Sequence, residues 1–342
     1  MHLYNKLSAK ERARIIDENS QERIILSFYK YFKLGNPSLF RDHLFIVWSN
    51  LDVLGRIYVA SEGINAQLSV PKESFEEFKF SVNKLSPLKD VRLNIALEHF
   101  NKSFLKLKIK IREKIVADGL DDCDFDVTKI GKHLNAKKFN KMLNDKNTIC
   151  IDMRNHYESE IGHFKGAIKP DVDTFRESIA TIDKEVDKYG KEKNYLMYCT
   201  GGIRCEKASA YLKHKGVQNV FQLEGGIIEY AKQVTRQKLK NNFVGKNFVF
   251  DQRIGEKISN KIVSNCHQCG RPCDTHVNCA NDFCHLLFIQ CNECKKKMNN
   301  CCSHECKKIT ALPYDEHRAF RKKNSNYLFK KGRSPKLKYK IC

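Results

Sequence analysis

A short apolar run at residues 194–198 passes directly into Cys199-Thr200-Gly201-Gly202-Ile203-Arg204, and a helical pattern follows from Cys205 to about residue 215. Comparable runs at 148–151 and 220–223 are separated from it by helical stretches. This alternation requires a parallel sheet with helices on its faces, because parallel neighbours need a crossover connection. Ligands of such sheets sit beyond the carboxyl ends of the strands, and Cys199 stands at one of those ends. Gly201 and Gly202 let the backbone curl so that successive N–H groups point inward. The next helix adds its positive N-terminal end, and Arg204 adds a cation. All three favour thiolate over thiol, so the pattern predicts a nucleophilic Cys199 of lowered pKa. Cys205, early in the helix, is placed to resolve an oxidised Cys199. Asp152 and Arg154, at the end of the strand at 148–151, and His163 further along read as braces for the sheet end and the loop.

Around this centre the chain divides into an N-terminal part (1–120), a middle part (130–236), a Cys-rich part (260–308) and a basic, aromatic tail (309–342). In the middle part, residues 131–134 form a strand-like lead-in. Asn135 can cap a helix to about 144, and Gly225-Gly226 opens another from 227. In the N-terminal part, runs at 24–31, 44–48, 56–59 and 91–97 have strand character. Residues 71–85 read as a helix with Pro71 in its first turn and Phe75, Phe78 and Val82 at helical spacing. Between 104 and 116, Leu105, Leu107, Ile109, Ile111 and Ile115 alternate with Lys106, Lys108, Lys110, Arg112 and Lys114. Period two puts the apolar set on one strand face and the cations on the other, where they form a solvated face or a phosphate-binding stripe. Ser61-Glu62-Gly63-Ile64-Asn65 reads as a turn between two strands. The order of elements implies a small ferredoxin-like α+β domain.

The 342 residues include 62 Lys/Arg and 40 Asp/Glu, a net charge of +22. Residues 237–342 carry +14 of that excess. So basic a chain favours an anionic partner, nucleic acid before membrane. No apolar run approaches the roughly 18 residues of a membrane span. Residues 1–15, with Lys6, Lys10, Arg12 and Arg14, lack the apolar core of a secretory signal. The expected compartment is the cytoplasm, where 15 cysteines do not make a disulfide framework. Ten of them lie between 266 and 306, and the knuckles Cys266/Cys269 and Cys291/Cys294 have zinc spacing. Cys273, Cys279, Cys284, Cys301, Cys302 and Cys306 offer a second site, with His267, His276, His285 or His304 as substitutes. Spacing alone leaves their pairing open. In the tail, Arg321, Lys322, Lys323, Lys330 and Lys331 are interleaved with aromatics, a pattern that suits phosphates and stacked bases.

Asp152-Met153-Arg154, Glu158, Gly162-His163-Phe164-Lys165-Gly166-Ala167-Ile168, the Cys199 loop and Leu223-Glu224-Gly225-Gly226-Ile227 together resemble a rhodanese domain over about residues 130–236. Arg204 lies five positions after Cys199, as in the six-residue sulfurtransferase loop. The longer phosphatase loop would place its arginine at 205, where this chain has Cys205. With Ser61-Glu62-Gly63-Ile64-Asn65 before it and the cysteines after it, nearly the whole chain resembles the tRNA uridine(34) hydroxylase family. That resemblance implies a tRNA substrate, oxygen-dependent conversion of wobble uridine to 5-hydroxyuridine with molecular oxygen as co-substrate, and Cys199 as a persulfide-type catalytic residue. No flavin or nucleotide motif is visible, and oligomeric state is not legible. A thiosulfate-type sulfurtransferase and a non-catalytic zinc-dependent RNA-binding protein are the competing readings.

Overall fold

Asn36 accepts a hydrogen bond from the Leu39 N–H, and Pro37 fills the first helical position. Residues 44–48 therefore become part of a helix, not a strand. The apolar run misleads because Leu44 and Trp48 are buried four residues apart, which is helical spacing. The computed structural model describes residues 3, 5–18, 21–98, 100–120, 125–313, 315, 316 and 319. Arg321, Lys322, Lys323, Lys330 and Lys331 lie outside them.

Helix α1 (Ala9–Glu18) precedes a domain built from β1 (Arg23–Tyr31), α2 (Pro37–Asn50), β2 (Leu54–Ala60), β3 (Gly63–Pro71), α3 (Phe75–Lys84), β4 (Asn94–Ile95) and β5 (Leu107–Ile111). The sheet order is β4-β1-β3-β2-β5. Its first four strands have the ferredoxin-like arrangement, and β5 adds a parallel edge to β2. Pro71 ends β3 and does not begin the helix, which starts four residues later. Strand character at 91–97 contracts to two residues. The 104–116 alternation is strand only over β5, where Leu107 and Ile109 are buried and Lys108 and Lys110 exposed. Ile111 is 41% exposed, and Ile115 is buried beyond the strand. Leu26, Phe28, Trp48, Ile57, Leu68, Phe78 and Ile109 form one core between this sheet and its helices. Among the described residues the opposite sheet face has no helix layer of its own.

The middle domain runs β6 (Lys132–Leu134), α4 (Ala136–Leu143), β7 (Thr148–Asp152), α5 (His156–Glu160), β8 (Gly162–Phe164), α6 (Phe175–Tyr189), β9 (Asn194–Tyr198), α7 (Ile203–His214), β10 (Val220–Leu223) and α8 (Gly226–Arg236). Its sheet β6-β10-β9-β7 is parallel throughout. Alternate residues of β9 serve two cores. Tyr195 and Met197 pack with Ile182 of α6 and Leu212 of α7, while Leu196 and Tyr198 pack with Phe139 of α4 and Tyr230 of α8. Burial on both faces explains the unbroken apolar runs. Strand β11 (Phe243–Phe248) pairs with β8 and β12 (Gly255–Lys257). The hairpin β13 (His276–Asn278) and β14 (Leu287–Ile289), then α9 (Asn292–Met298) and α10 (His304–Thr310), complete the described chain. Among the described residues no helix is long and apolar enough to cross a membrane.

The open face of the N-terminal sheet lies against the middle domain. Lys207 of α7 is fully buried, with its ammonium 2.7 Å from Glu62 and 3.1 Å from Asp118. Glu62 sits in the two-residue β2–β3 turn and also accepts from the Ile115 N–H. Only Ser61 and Glu62 form the turn expected over 61–65, since Gly63, Ile64 and Asn65 already pair in β3, and that turn is also a docking element. Arg253 extends from the C-terminal part and bonds Asp251, Glu256 and the Glu98 carbonyl. Removing one partner of a buried ion pair costs about 3–5 kcal/mol. Lys207→Met, which leaves Glu62 and Asp118 facing each other, is expected to lose that much. A lowered denaturation midpoint in urea measures it, and an unchanged midpoint would show that the clamp is not a stabilising contact.

Candidate functional site

Strand β9 ends at Tyr198, and the backbone turns at Cys199 to enter α7. Gly202 adopts φ +109°, a conformation open to glycine and closed to most side chains. A Cβ on Gly202 would also stand 2.6 Å from the Tyr29 hydroxyl, so glycine is required twice. In this geometry the Gly202 N–H donates to Cys199 Sγ at 3.1 Å. Burial pushes the Cys199 thiol up. The Cys205 thiol donating to it, the Arg204 guanidinium and the Gly202 and Arg204 N–H groups outweigh that and bring it down to about 6. Burial and this same hydrogen bond push Cys205 well up, so it remains a thiol.

Arg204 has a different principal partner from the one its spacing implies. It forms a two-point pair with Glu158, Nη1 to Oε1 at 2.6 Å and Nη2 to Oε2 at 2.9 Å. Glu158 is wholly buried in α5 and faces Thr200 Oγ1 at 3.4 Å. The loop is held from below by α8. The Ile227 N–H donates to the Cys199 carbonyl at 3.1 Å, and Gly226 lies so close to the Thr200 carbonyl that no Cβ fits. Asp152 and Arg154 are both buried and joined at 2.6 and 2.9 Å. Arg154 also donates to the Gly162 carbonyl, fixing β7 to β8. His163 bonds the Ser159 carbonyl through Nδ1 at 2.9 Å. None of these three lines the cavity beside Cys199.

That cavity has a volume of about 340 Å³. Cys199, Thr200, Gly201, Ile203 and Arg204 form one wall. The open face of the N-terminal sheet forms another, with Ser27, Tyr29, Arg56, Tyr58, Asn65, Gln67 and Asn94. Val249, Phe250 and Arg253 of the C-terminal part close it. Sequence reading located the first wall and missed the second. Its residues are ordinary strand polars, and only the strand order brings them under Cys199. Tyr29 donates to Glu206 at 3.0 Å, and Glu206 also meets His133 at 3.0 Å and Gln222 at 3.2 Å. Hydrogen bonding to Glu206 raises His133 above its ordinary value, and burial raises Tyr29.

The Cys-rich part resolves into two groups of four. Cys266, Cys269, Cys291 and Cys294 have their sulfurs within 4.8 Å of one another, as do Cys279, Cys284, Cys302 and Cys306. Individual edges are 3.7 Å for Cys269–Cys291 and 3.6 Å for Cys284–Cys302. Both groups could hold a metal ion. Cys273 and Cys301 stand outside them. Cys273 packs in the adjacent apolar cluster, and Cys301 Sγ lies 3.4 Å from Thr310 Oγ1. His267, His276, His285 and His304 also join neither group. His267 is taken by Glu160 at 2.7 Å.

Of the cations expected to meet phosphate, Lys108 and Lys110 are exposed on β5, and Lys106 is half-buried just before it. Lys114 pairs with Asp118, and Arg112 lies over the Tyr58 ring, so neither extends the stripe.

Family models match residues 23–115 as a UPF0176 acylphosphatase-like domain, 135–233 as a rhodanese-like domain and 244–307 as a rhodanese C-terminal region. The chain is 50% identical over 335 residues to proteins named tRNA uridine(34) hydroxylase from Photorhabdus laumondii and Cronobacter sakazakii. Each match covers 97% of this chain and 95% of the relative. A rhodanese-like domain protein of Staphylococcus aureus is 25% identical over 29% of this chain and 90% of its own, with a TM-score of 0.24.

The thiol's balance is testable. Alkylation of Cys199 by iodoacetamide, followed by peptide mass spectrometry, is expected to rise through a midpoint near pH 6. Cys205→Ala removes a donor to the thiolate and is expected to move that midpoint up, toward the ordinary thiol range. An unshifted midpoint would remove Cys205 from the account.

Proposed function

We propose, because the chain belongs to the tRNA uridine(34) hydroxylase family, that it is a cytoplasmic tRNA-modifying enzyme that hydroxylates C5 of the wobble uridine. Molecular oxygen is the co-substrate. The observation that carries this reading is a thiolate-forming cysteine in the wall of a nucleoside-sized cavity between two domains.

Uracil C5 is not electrophilic, so the base must first be activated. The Cys199 thiolate adds to C6 and places an electron pair on C5 and O4 as an enolate. Carbon C5 then attacks an electrophilic oxygen species. Loss of the C5 proton and departure of Cys199 restore the ring. One oxygen atom from dioxygen enters the base and the other leaves as water, which takes two electrons and two protons from an external two-electron reductant of the thiol class. Cys205 donates to Cys199 and so helps to hold it as the thiolate that attacks C6; a resolving role for an oxidised Cys199 would require Cys205 to lose its own proton. Glu158 keeps Arg204 in place below the loop, while Asp152 and Arg154 fix the sheet end.

A sulfur-carrier reading has one observation in its favour. The six-residue loop directs N–H groups at Sγ and would suit the terminal sulfur of a Cys199 persulfide as well. Nucleoside mass spectrometry separates the two. Deletion of the gene is expected to abolish 5-hydroxyuridine derivatives in tRNA, and wild type, but not Cys199→Ala, restores them. Unchanged hydroxyuridine with a fallen thiolated nucleoside would install the sulfur carrier instead.

The two cysteine groups are zinc sites in this reading. Four thiolates are a soft donor set suited to structural zinc. A tetrahedron with Zn–S of about 2.3 Å has edges of about 3.8 Å, close to the 3.6–3.7 Å separations above. Bound zinc would supply the folding energy that so small a core lacks. Elemental analysis is expected to find two zinc ions per chain. Cys269→Ser is expected to leave one, while Cys273→Ser and Cys301→Ser retain both. Two ions in the Cys269→Ser protein would overturn the assignment.

A further inference from the structure

One row of residues crosses the whole N-terminal sheet on its open face. Asn94 on β4 faces Ser27 on β1, and Ser27 faces Gln67 on β3. Gln67 faces Arg56 on β2, and Arg56 faces Lys108 on β5. The row changes character along its length, from two amides and a hydroxyl to two cations.

Its amide end lies under the reactive loop. A Cβ on Gly201 would be 3.8 Å from Asn94 Nδ2 and 4.0 Å from Ser27 Oγ. Asn94 is 4% exposed, lines the cavity, and leaves its Oδ1 without a hydrogen-bond partner. A buried unmatched acceptor is costly until water or a ligand supplies the donor, and the cavity beside Asn94 can admit either. Its cation end is open. Arg56 and Lys108 are both exposed, and among the described residues no ion pair joins either to a carboxylate. Strands lie about 4.8 Å apart, so along the row Arg56 stands about 10 Å and Lys108 about 14 Å from Ser27.

We propose that this row is the track on which the target nucleotide lies, with Asn94 reading the base edge and Arg56 and Lys108 holding the phosphates beside it. The inference deepens the hydroxylase reading and rests on it. A uracil edge offers one N–H donor flanked by two carbonyl acceptors. Asn94 Oδ1 takes the N3–H, and its Nδ2 donates to a neighbouring carbonyl. Cytosine presents an acceptor at N3, so it meets Oδ1 with repulsion and pairs only after the amide turns over. The sheet must receive an unpaired nucleotide, because a base inside a helix cannot present both its edge and its C5–C6 bond. The anticodon loop of a tRNA supplies one.

Binding is measured apart from hydroxylation, with fluorescent anticodon stem-loops carrying uridine or cytidine at position 34. The doubly substituted Arg56→Ala, Lys108→Ala protein is expected to bind the uridine loop about tenfold or more weakly. It should also lose part of the salt dependence that phosphate contacts create. Asn94→Ala is expected to abolish the preference for uridine over cytidine while retaining the salt dependence. Asn94→Asp, which keeps an acceptor for N3–H, recovers part of that preference. Normal Cys199 alkylation in each variant shows that the site has folded. Affinity and preference equal to wild type in all variants would overturn the track. If wild type hydroxylates tRNA in that case, the hydroxylase reading stands without the track. If wild type binds the loops with these dependences but never yields 5-hydroxyuridine, the hydroxylase reading fails and the track remains.

Discussion

The first turn of α7 is the point on which the molecule is assembled. Four consecutive buried side chains leave it about 100° apart, as helix geometry dictates, and each reaches a different element. Arg204 pairs with Glu158 of α5, and Cys205 donates to Cys199. Glu206 gathers Tyr29, His133 and Gln222, and Lys207 is clamped by Glu62 and Asp118. In the last of these, two carboxylates and an ammonium are taken out of water together, so losing any one leaves an uncompensated buried charge. Through it the N-terminal sheet is pressed against the helix that carries the reactive loop. The Tyr29–Glu206 and Arg253–Glu98 contacts also join the N-terminal part to its neighbours around the cavity.

This arrangement also explains how the cysteine can be buried and acidic at once. Burial alone would hold Cys199 as a thiol. Short, oriented donors in a low-dielectric site reverse that, since each is stronger there than in water. Arg204 contributes a charge already matched by Glu158, so its larger role is to fix the loop in the curl that aims the N–H groups. The Gly202 conformation, the Tyr29 hydroxyl packed against it and the α8 N–H bonds beneath belong to the same constraint.

Much of the middle domain could be read directly. A strand, a Gly-Gly loop and a helix form one continuous segment, and every residue needed to infer a nucleophilic Cys199 lies within seven positions. The ferredoxin-like order is legible too, although 44–48 lies in a helix and not in the strand its composition suggests. An apolar run looks the same in a strand and in a buried helix, and the Asn36 cap with Pro37 was the overlooked signal. The alternation offers five cations to one face, but β5 ends at Ile111. Lys114 turns inward to Asp118 because the chain leaves the sheet there. The cysteine knuckles were plain, whereas the composition of each tetrad was not, because Cys273 and Cys301 have spacings as suitable as those of the true members.

The position of Cys199 at a strand end before a Gly-Gly turn, the parallel sheet behind it and the grouped cysteines are all legible in the chain, because each pattern is closed within a few residues. Tertiary structure alone decided what faces Cys199. Glu62 and Lys207 are 145 positions apart, Tyr29 and Glu206 are 177 apart, and the row from Asn94 to Lys108 draws on five strands out of chain order. Periodicity tells which face of a strand a residue occupies. Which strand lies beside it, and which domain covers that face, is set by burying the whole core at once, and no local pattern carries that information.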